Sequence, residues 1–225
     1  MEYKIENGPV FTTLRVTMMK GETFRAEAGA MISMSPTIEL EAKSAGKGFF
    51  GAVKAAAGGE GLFVSLYTAV SGNGELVLAP GTPGDIVRFD LKGPAIMAQS
   101  GAYLAGSPEL ELAAQGSFKA LMSGEGLFLQ KITGTGTVFL NSYGAIVQKT
   151  LGAGETYIVD TGHIVAFEES VTYQLKKAAK GLFSAVASGE GLVGVYQGPG
   201  SLWMQTRNLP AFARQISRFL PKQNG

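Results

Sequence analysis

Alternating apolar and polar residues run through most of the chain and predict short β-strands. Leu14, Val16 and Met18 alternate with polar neighbours, a period of two that is typical of a half-buried strand. Two more short strands are predicted on either side of Gly29, and another follows Pro36. The pattern therefore predicts an all-β fold made of many short strands.

Only the tail of the chain, residues 208–220, has the period of an amphipathic helix. Asn208 is suited to cap its start, Pro210 is tolerated in the first turn, and Pro221 ends it. The apolar stripe consists of Leu209, Phe212, Ala213, Ile216, Phe219 and Leu220. A helix this short needs an apolar surface to receive it. We expect that surface on the β body of the same or a neighbouring subunit; the alternative is a membrane surface.

The word Gly-Glu-Gly-Leu occurs at 59–62, 124–127 and 189–192, with equal spacings of 65 residues. Each copy lies between a glycine-led apolar run and a second glycine-rich strand signal. Equal spacing predicts three tandem units that bury their apolar faces against one another. We place them at about 1–91, 92–151 and 152–207, in one domain over 1–207 that is followed by the helix and tail, 208–225.

The strongest strand signal of each unit directly follows the repeated word, at 62–67, 127–132 and 192–196. A glycine-containing turn and a second strand come next, which predicts a β-hairpin in each unit. The glycine clusters lack the spacing of a phosphate-binding loop, so we interpret them as turns.

Two sets of residues around the word are candidate interaction sites. Apolar, lysine-flanked loops precede it, and we interpret them as caps on the end of a barrel; the alternative is a tip that touches a membrane or partner. The repeated glutamates are expected to accept local backbone N–H bonds; the alternative is that they converge near a pseudo-axis. These residues are Phe49, Phe50 and Phe183 in the loops, and Glu60, Glu125 and Glu190 in the words.

Composition changes this picture mainly by exclusion. A chain of 225 residues with 45% hydrophobic content can build a sizeable core. Nineteen basic against 18 acidic residues give no field that attracts nucleic acid. The absence of cysteine excludes disulfides and thiolate metal sites. The start lacks the pattern of a signal peptide, and no apolar run spans a membrane, so a cytoplasmic location is expected.

Candidate chemistry is sparse. His163 is the only histidine, and we interpret it as a satisfied strand residue although Glu168 and Glu169 follow it. Trp203, the only tryptophan, is interpreted as a core or interface anchor. We therefore predict no catalytic residues, no metal and no cofactor.

The run from Gly198 to Arg207, together with the glycine-led repeats and the segment 144–147, resembles the altered-inheritance-of-mitochondria family of mitochondrial biogenesis. That family belongs to the tryptophan RNA-binding attenuator protein-like (TRAP-like) superfamily, and the resemblance covers roughly residues 1–210. It implies three β-sandwich-like repeats in a pseudo-threefold arrangement, a double-stranded β-helix variant, and a tendency to form trimers. It brings no catalytic motif, and no residue here matches the attenuator's tryptophan or RNA sites.

These observations predict a non-enzymatic, oligomeric scaffold or interaction module, with a trimer favoured. Phe212, Ile216 and Phe219 of the tail are further candidate contacts, toward a protein partner or a membrane, and the family likeness suggests a link to membrane organisation. One alternative is a small-molecule binder or enzyme with a pocket at the repeat junctions. A second alternative, RNA binding, depends on superfamily analogy alone.

Overall fold

The structure, a computed structural model, describes residues 1–44, 63–115, 128–177 and 192–221. These residues form β-strands and one C-terminal helix, α1. The elements are β1 Glu2–Glu6, β2 Thr13–Met18, β3 Thr23–Glu27, β4 Met31–Met34, β5 Ile38–Ser44, β6 Phe63–Ala69, β7 Gly74–Leu78, β8 Ile86–Gln99, β9 Tyr103–Gly106, β10 Glu111–Gln115, β11 Leu129–Asn141, β12 Ile146–Leu151, β13 Thr156–Asp160, β14 Ile164–Glu168, β15 Thr172–Lys177, β16 Leu192–Gln197, β17 Gly200–Gln205 and α1 Leu209–Ser217.

The strands form three antiparallel sheets. A four-stranded sheet has the order β1-β2-β7-β4, and a three-stranded sheet has the order β13-β16-β15. A ten-stranded sheet runs β12-β17-β14-β8-β11-β9-β3-β6-β5, with β10 paired to β11. The predicted all-β class with a C-terminal helix is confirmed.

The hairpins predicted after the repeated word are not present. In the first third of the chain β6 pairs with β3 and β5, while β7 pairs with β2 and β4. Both edges of each strand are thus occupied, so β6 and β7 cannot pair with each other as a hairpin. They lie in different sheets. The glycine-rich turn between them, 70–73, carries the chain from one sheet to the other.

In the middle of the chain the same glycine segment is not a turn. Gly134 and Gly136 lie inside the 13-residue strand β11, which pairs along its length with the equally continuous β8. A register shift between Ile132 and Gly134 absorbs the bend, and positive φ angles of 109° and 152° at the two glycines permit it. The prediction of a turn at 134–136 was wrong because glycine favours bulges as well as turns.

Three apolar clusters form the core. The predicted alternation is confirmed in β2, since Leu14, Val16 and Met18 are fully buried. Phe24 and Phe139 pack edge to face in the first cluster, with ring centroids 6.2 Å apart. Burial of each such side chain contributes about 1.5–3 kcal/mol.

Two strand pairings join successive thirds of the chain. Ala26 of β3 lies opposite Ala105 of β9, and Ala98 of β8 lies opposite Ala166 of β14. Arg25 adds to the first junction, where its Nε donates to the Tyr103 hydroxyl at 3.1 Å and its guanidinium lies over the same ring.

Candidate functional site

Helix α1 begins at the cap that the sequence predicts. The Asn208 side-chain oxygen accepts a hydrogen bond from the Ala211 backbone N–H at 3.1 Å, and Pro210 lies in the first turn. Asn208 Nδ2 also donates to Asp160 at 3.4 Å, which ties the helix start to the end of β13. The predicted helix is confirmed over Leu209–Ser217.

The apolar stripe of α1 remains exposed. Phe212 contacts the β body through Tyr143, with ring centroids 5.9 Å apart, but no residue of the helix is buried. Phe219, just beyond the helix, is 84% exposed, and Ile216 is also exposed. Apart from the contact at Phe212, the described part of the chain's own β body therefore leaves the stripe uncovered. A neighbouring molecule remains as the expected acceptor.

Strand β4 presents an apolar edge to solvent. It pairs with β7 on one side and with no further strand of the described ranges. Its residues are Met31, Ile32, Ser33 and Met34, and all of them are exposed, Ile32 to 56%. A free backbone edge with apolar side chains is a typical template for pairing with another strand.

Strand β13 presents a second edge of the same kind. Among described strands it pairs only with β16. Tyr157 is exposed and Ile158 is 63% exposed, whereas Val159 next to them is buried. The edges of β4 and β13 and the stripe of α1 are the exposed apolar surfaces that we consider as candidate interaction sites.

A cleft of about 380 Å³ lies beside the start of α1. Glu27 and Gln99, the last residues of β3 and β8, line it, and Leu209 and Pro210 border it. Gln205 also lines it, but the fold uses the amide of this side chain, which donates to the Gly162 carbonyl at 2.9 Å.

The acidic residue in the described lining of this cleft is Glu27. Burial raises the pKa of its carboxyl to about 7. No histidine, lysine or second carboxylate lines the cleft among the described residues. The cleft can therefore bind or release one proton near neutral pH, but it lacks the paired groups that acid–base catalysis requires.

His163 and Trp203 have structural partners. His163 Nδ1 donates to the Gln205 carbonyl at 2.7 Å, in the turn before β14. Glu168 instead accepts from the Ser201 N–H at 3.0 Å, and Glu169 pairs with Lys131. Trp203 is 8% exposed and packs edge to face on Phe89, so the structure places it in the core.

The remaining sequence candidates lie outside the described residues, so both interpretations of them stay predictions. They are Phe49, Phe50, Phe183, Glu60, Glu125 and Glu190. Within 1–44, 63–115, 128–177 and 192–221, no group of three or more histidine, aspartate or glutamate side chains is arranged to hold a metal ion. No helix in those ranges has the length and apolarity to cross a membrane.

The family described as Mitochondrial biogenesis AIM24 matches residues 3–207. The chain belongs to the AIM24 family. An uncharacterised relative from Streptococcus pyogenes serotype M6 is 31% identical over 229 residues, which cover 98% of this chain and 92% of that protein. The crystal structure of protein SPYM3_0169 from Streptococcus pyogenes matches with a TM-score of 0.80 and 29% identity, over 97% of this chain and 99% of that one.

The AIM24 match confirms the family resemblance, but it defines no function. Sequence reasoning for this AIM24 chain missed the edges of β4 and β13. A partial signal was present, because Met31 and Ile32 are adjacent apolar residues of a predicted strand. Only the tertiary structure reveals that these residues are exposed.

Proposed function

We propose that the protein is a non-enzymatic, homo-oligomeric interaction module built from three copies of one β unit. The single observation that carries this proposal is the exposure of apolar strand edges and of an apolar helix stripe on a chain whose core is otherwise well formed. Clusters of exposed apolar residues of this kind mark interaction sites in proteins.

The strand pairings support three copies. In the first unit, β2-β7-β4 form one set, which we call set one, and β3-β6-β5 form another, set two. In the third unit, β12-β17-β14 correspond to set one and β13-β16-β15 to set two. In the second unit the long strands β8 and β11 carry both sets, with β9 completing set one and β10 completing set two.

The irregularities of the strands support the same correspondence. Each outer strand of set one has a register shift at the same position relative to its partner. The shift falls between Met31 and Ser33 in β4, between Tyr103 and Ala105 in β9, and between Ile164 and Ala166 in β14. Matching pairings favour unit boundaries just before β8 and β12, several residues earlier than the sequence suggests. The expected rotation of about a third of a turn between units stays a prediction, and superposition of the three units measures it.

Oligomerisation is tested by light scattering on the purified chain over a concentration series. We expect particles that are multiples of the 23.5 kDa chain. The family habit favours a trimer, although dimers are the commonest closed assembly in general. A particle of one chain mass at every concentration contradicts the proposal.

The family likeness and the exposed stripe of α1 support a peripheral contact with a membrane or protein partner, and we propose a cytoplasmic location. Arg214 and Arg218 near the stripe each add about 1 kcal/mol of attraction to anionic lipid. That is weak on its own, so we favour a protein surface as the acceptor.

The cleft beside Glu27 favours one alternative, a small-molecule binder. A ligand that binds only the folded protein raises its melting temperature. A thermal-shift screen at pH 6 and pH 8 tests this, because a ligand that meets the Glu27 carboxyl should bind differently as this group loses its proton. A difference between the two pH values that persists in a Glu27→Gln variant would show that the ligand binds away from the cleft.

A further inference from the structure

Inside the chain, each junction between units joins set one of a unit to set two of the unit before it. β9 of the second unit pairs with β3 of the first, and β14 of the third pairs with β8 of the second. Each junction turns two three-stranded sets into one six-stranded arrangement, and the long strands β8 and β11 connect the two arrangements into the ten-stranded sheet. The junction is therefore a repeated structural element.

Among the strands of the described ranges, two sets remain without such a junction. The four-stranded sheet contains set one of the first unit, with β1 added at its far edge. The three-stranded sheet is set two of the third unit. The four-stranded sheet ends in β4, which corresponds to β9 and β14 of the formed junctions. The three-stranded sheet ends in β13, which corresponds to β3 and β8, the partners of β9 and β14. The two smaller sheets are thus complementary halves of one more junction.

Burial distinguishes these free edges from the formed junctions. All four residues of β9 are buried, and four of the five residues of β14 are buried. All four residues of β4 are exposed, although the strand is equally apolar. Leu104 and Val165 are 0% and 1% exposed at the position that Ile32 occupies with 56% exposure. The sequence of β4 suits a junction that the described residues of one chain do not supply.

We propose that β4 of one copy pairs with β13 of a second copy, which repeats the junction found twice within the chain. This inference rests on the proposed oligomeric function and names the surface that performs it. The alignment follows from the internal junction, in which Ala26 lies opposite Ala105 and Arg25 lies opposite Gly106. The three units can be matched residue by residue, because the turns between β3 and β4, between β8 and β9, and between β13 and β14 have the same length. Transferred to the free edges, these registers place Ser33 opposite Val159 and Met34 opposite Ile158.

The contact joins two different surfaces, so the assembly is head-to-tail. Such a heterologous contact closes into a ring or continues as a filament, depending on the rotation that it produces. Each copy offers one β4 edge and one β13 edge, so a closed ring pairs every edge of these two kinds. Closure removes the liability of two exposed apolar strand edges.

A cysteine pair tests the alignment directly, because the natural chain contains no cysteine. Met34→Cys and Ile158→Cys are combined in one chain and oxidised in air. Residues opposite each other in an antiparallel pair have Cα atoms about 4.5–5.5 Å apart, which a disulfide can bridge. We expect a ladder of covalent oligomers on a denaturing gel that reducing agent abolishes. The two single variants serve as controls and should form no ladder.

An edge variant provides a second readout. Ile32→Lys places a charge where Leu104 and Val165 are buried in the internal junctions, yet Ile32 itself is exposed in the single chain, so the fold should survive. We expect at least a tenfold weaker self-association by light scattering. The matched control is Val147→Lys, which alters an exposed apolar residue of the edge strand β12. β12 belongs to set one but lies at the end of the set that takes part in no junction. Its assembly should be unchanged.

The outcomes separate this inference from the proposed function. An oligomer that yields no ladder and is unaffected by Ile32→Lys overturns the β4–β13 pairing and leaves the oligomeric function supported by another surface. A disulfide that forms within one chain overturns it as well, since the junction would then close without a second copy. A single-chain particle at all concentrations contradicts both proposals.

Discussion

At the scale of single residues, Glu27 occupies a position whose side chain has a different environment in each of three corresponding strands. Glu27 ends β3, Gln99 ends β8 and Asp160 ends β13, and a glycine follows two residues later in each case. Asp160 accepts hydrogen bonds from Gly162 and Asn208. Glu27 instead is desolvated in the cleft, which raises its pKa to about 7. Burial of a carboxylate in this way opposes folding when the carboxylate is charged.

The raised pKa makes stability depend on pH. Below pH 4 the carboxyl is protonated in the folded and unfolded chains alike. Between about pH 4.5 and 7 the unfolded chain loses its proton first, so stability falls as pH rises, and above pH 7 the penalty is constant. We expect Glu27→Gln, which introduces the residue found at position 99, to be more stable than the natural chain at pH 8 by about 1–2 kcal/mol, allowing for solvent screening of a half-buried group.

Urea denaturation at pH 4 and pH 8 measures this effect, and the two proteins should be about equally stable at pH 4. Glu39→Gln, a change at an exposed glutamate of β5, is the matched control and should follow the natural chain at both pH values. A Glu27→Gln variant without any gain at pH 8 would show that the Glu27 carboxylate is stabilised when charged.

Gln130 of β11 supports a second prediction at this scale. The residue is 2% exposed, and neither atom of its side-chain amide forms a hydrogen bond in the described part of the chain. A buried polar group without a partner costs about 1–3 kcal/mol, so Gln130→Met, of similar size, should raise the free energy of unfolding by about 1 kcal/mol. Gln148→Met at an exposed position of β12 should leave it unchanged. Destabilisation by Gln130→Met would mean that the amide has a partner in the protein.

At the scale of elements, α1 is well capped but poorly supported. A helix of nine residues is marginal by itself in water, and this one buries none of its residues in the single chain. Its persistence therefore depends on the Asn208 cap, on the contact of Phe212 with Tyr143, and on whatever covers its stripe.

Deletion of residues 209–225 should lower the melting temperature or disrupt the oligomer while the β-sheet signal in circular dichroism is kept. The deletion removes the helix from the surface that receives it, whereas the core clusters contain no residue of α1. The double change Phe212→Ser and Ile216→Ser should act in the same direction, and Gln215→Ala on the polar side is the matched control. Unchanged melting and assembly together with lost binding to anionic liposomes would favour the membrane interpretation instead.

At the scale of the whole molecule, Gly84 is the point where three distant stretches meet. It forms parallel bridges with Phe11 on one side and Gly144 on the other, just before β2, β8 and β12 begin. The Gly84 carbonyl accepts from the Thr12 N–H at 3.2 Å. A Cβ at this position would lie 1.6 Å from the Ser142 carbonyl oxygen, so glycine alone fits.

Gly84→Ala should therefore destabilise the protein by more than about 3 kcal/mol, because the clash is with backbone that other pairings hold in place. Thermal unfolding and the yield of soluble protein measure it. Gly81→Ala is the matched control, since a Cβ there meets nothing within 4 Å. If both variants unfold at the same temperature, the three stretches are less tightly packed than the structure indicates.

Much of the candidate site was predictable in type but not in place. The sequence predicted the helix and its stripe, because a period of 3.6 residues is a local property. It could not locate the cleft around Glu27, since the residues that line it extend from Glu27 to Pro210, 183 positions apart in the chain. The edge residues of β4 were visible as an apolar run, but their exposure depends on which strand lies beside them.

The sequence by itself determined the all-β class, the apolar alternation of β2, the capped helix and the family, because each depends on local pattern or on direct similarity. Only the tertiary structure decided where the glycine segments act as sheet crossings and where as a bulge inside β11. The reason is that a glycine permits several backbone conformations, and the neighbouring strands select among them. Strand pairing is equally non-local, so the two free edges at β4 and β13 were decided by the whole molecule.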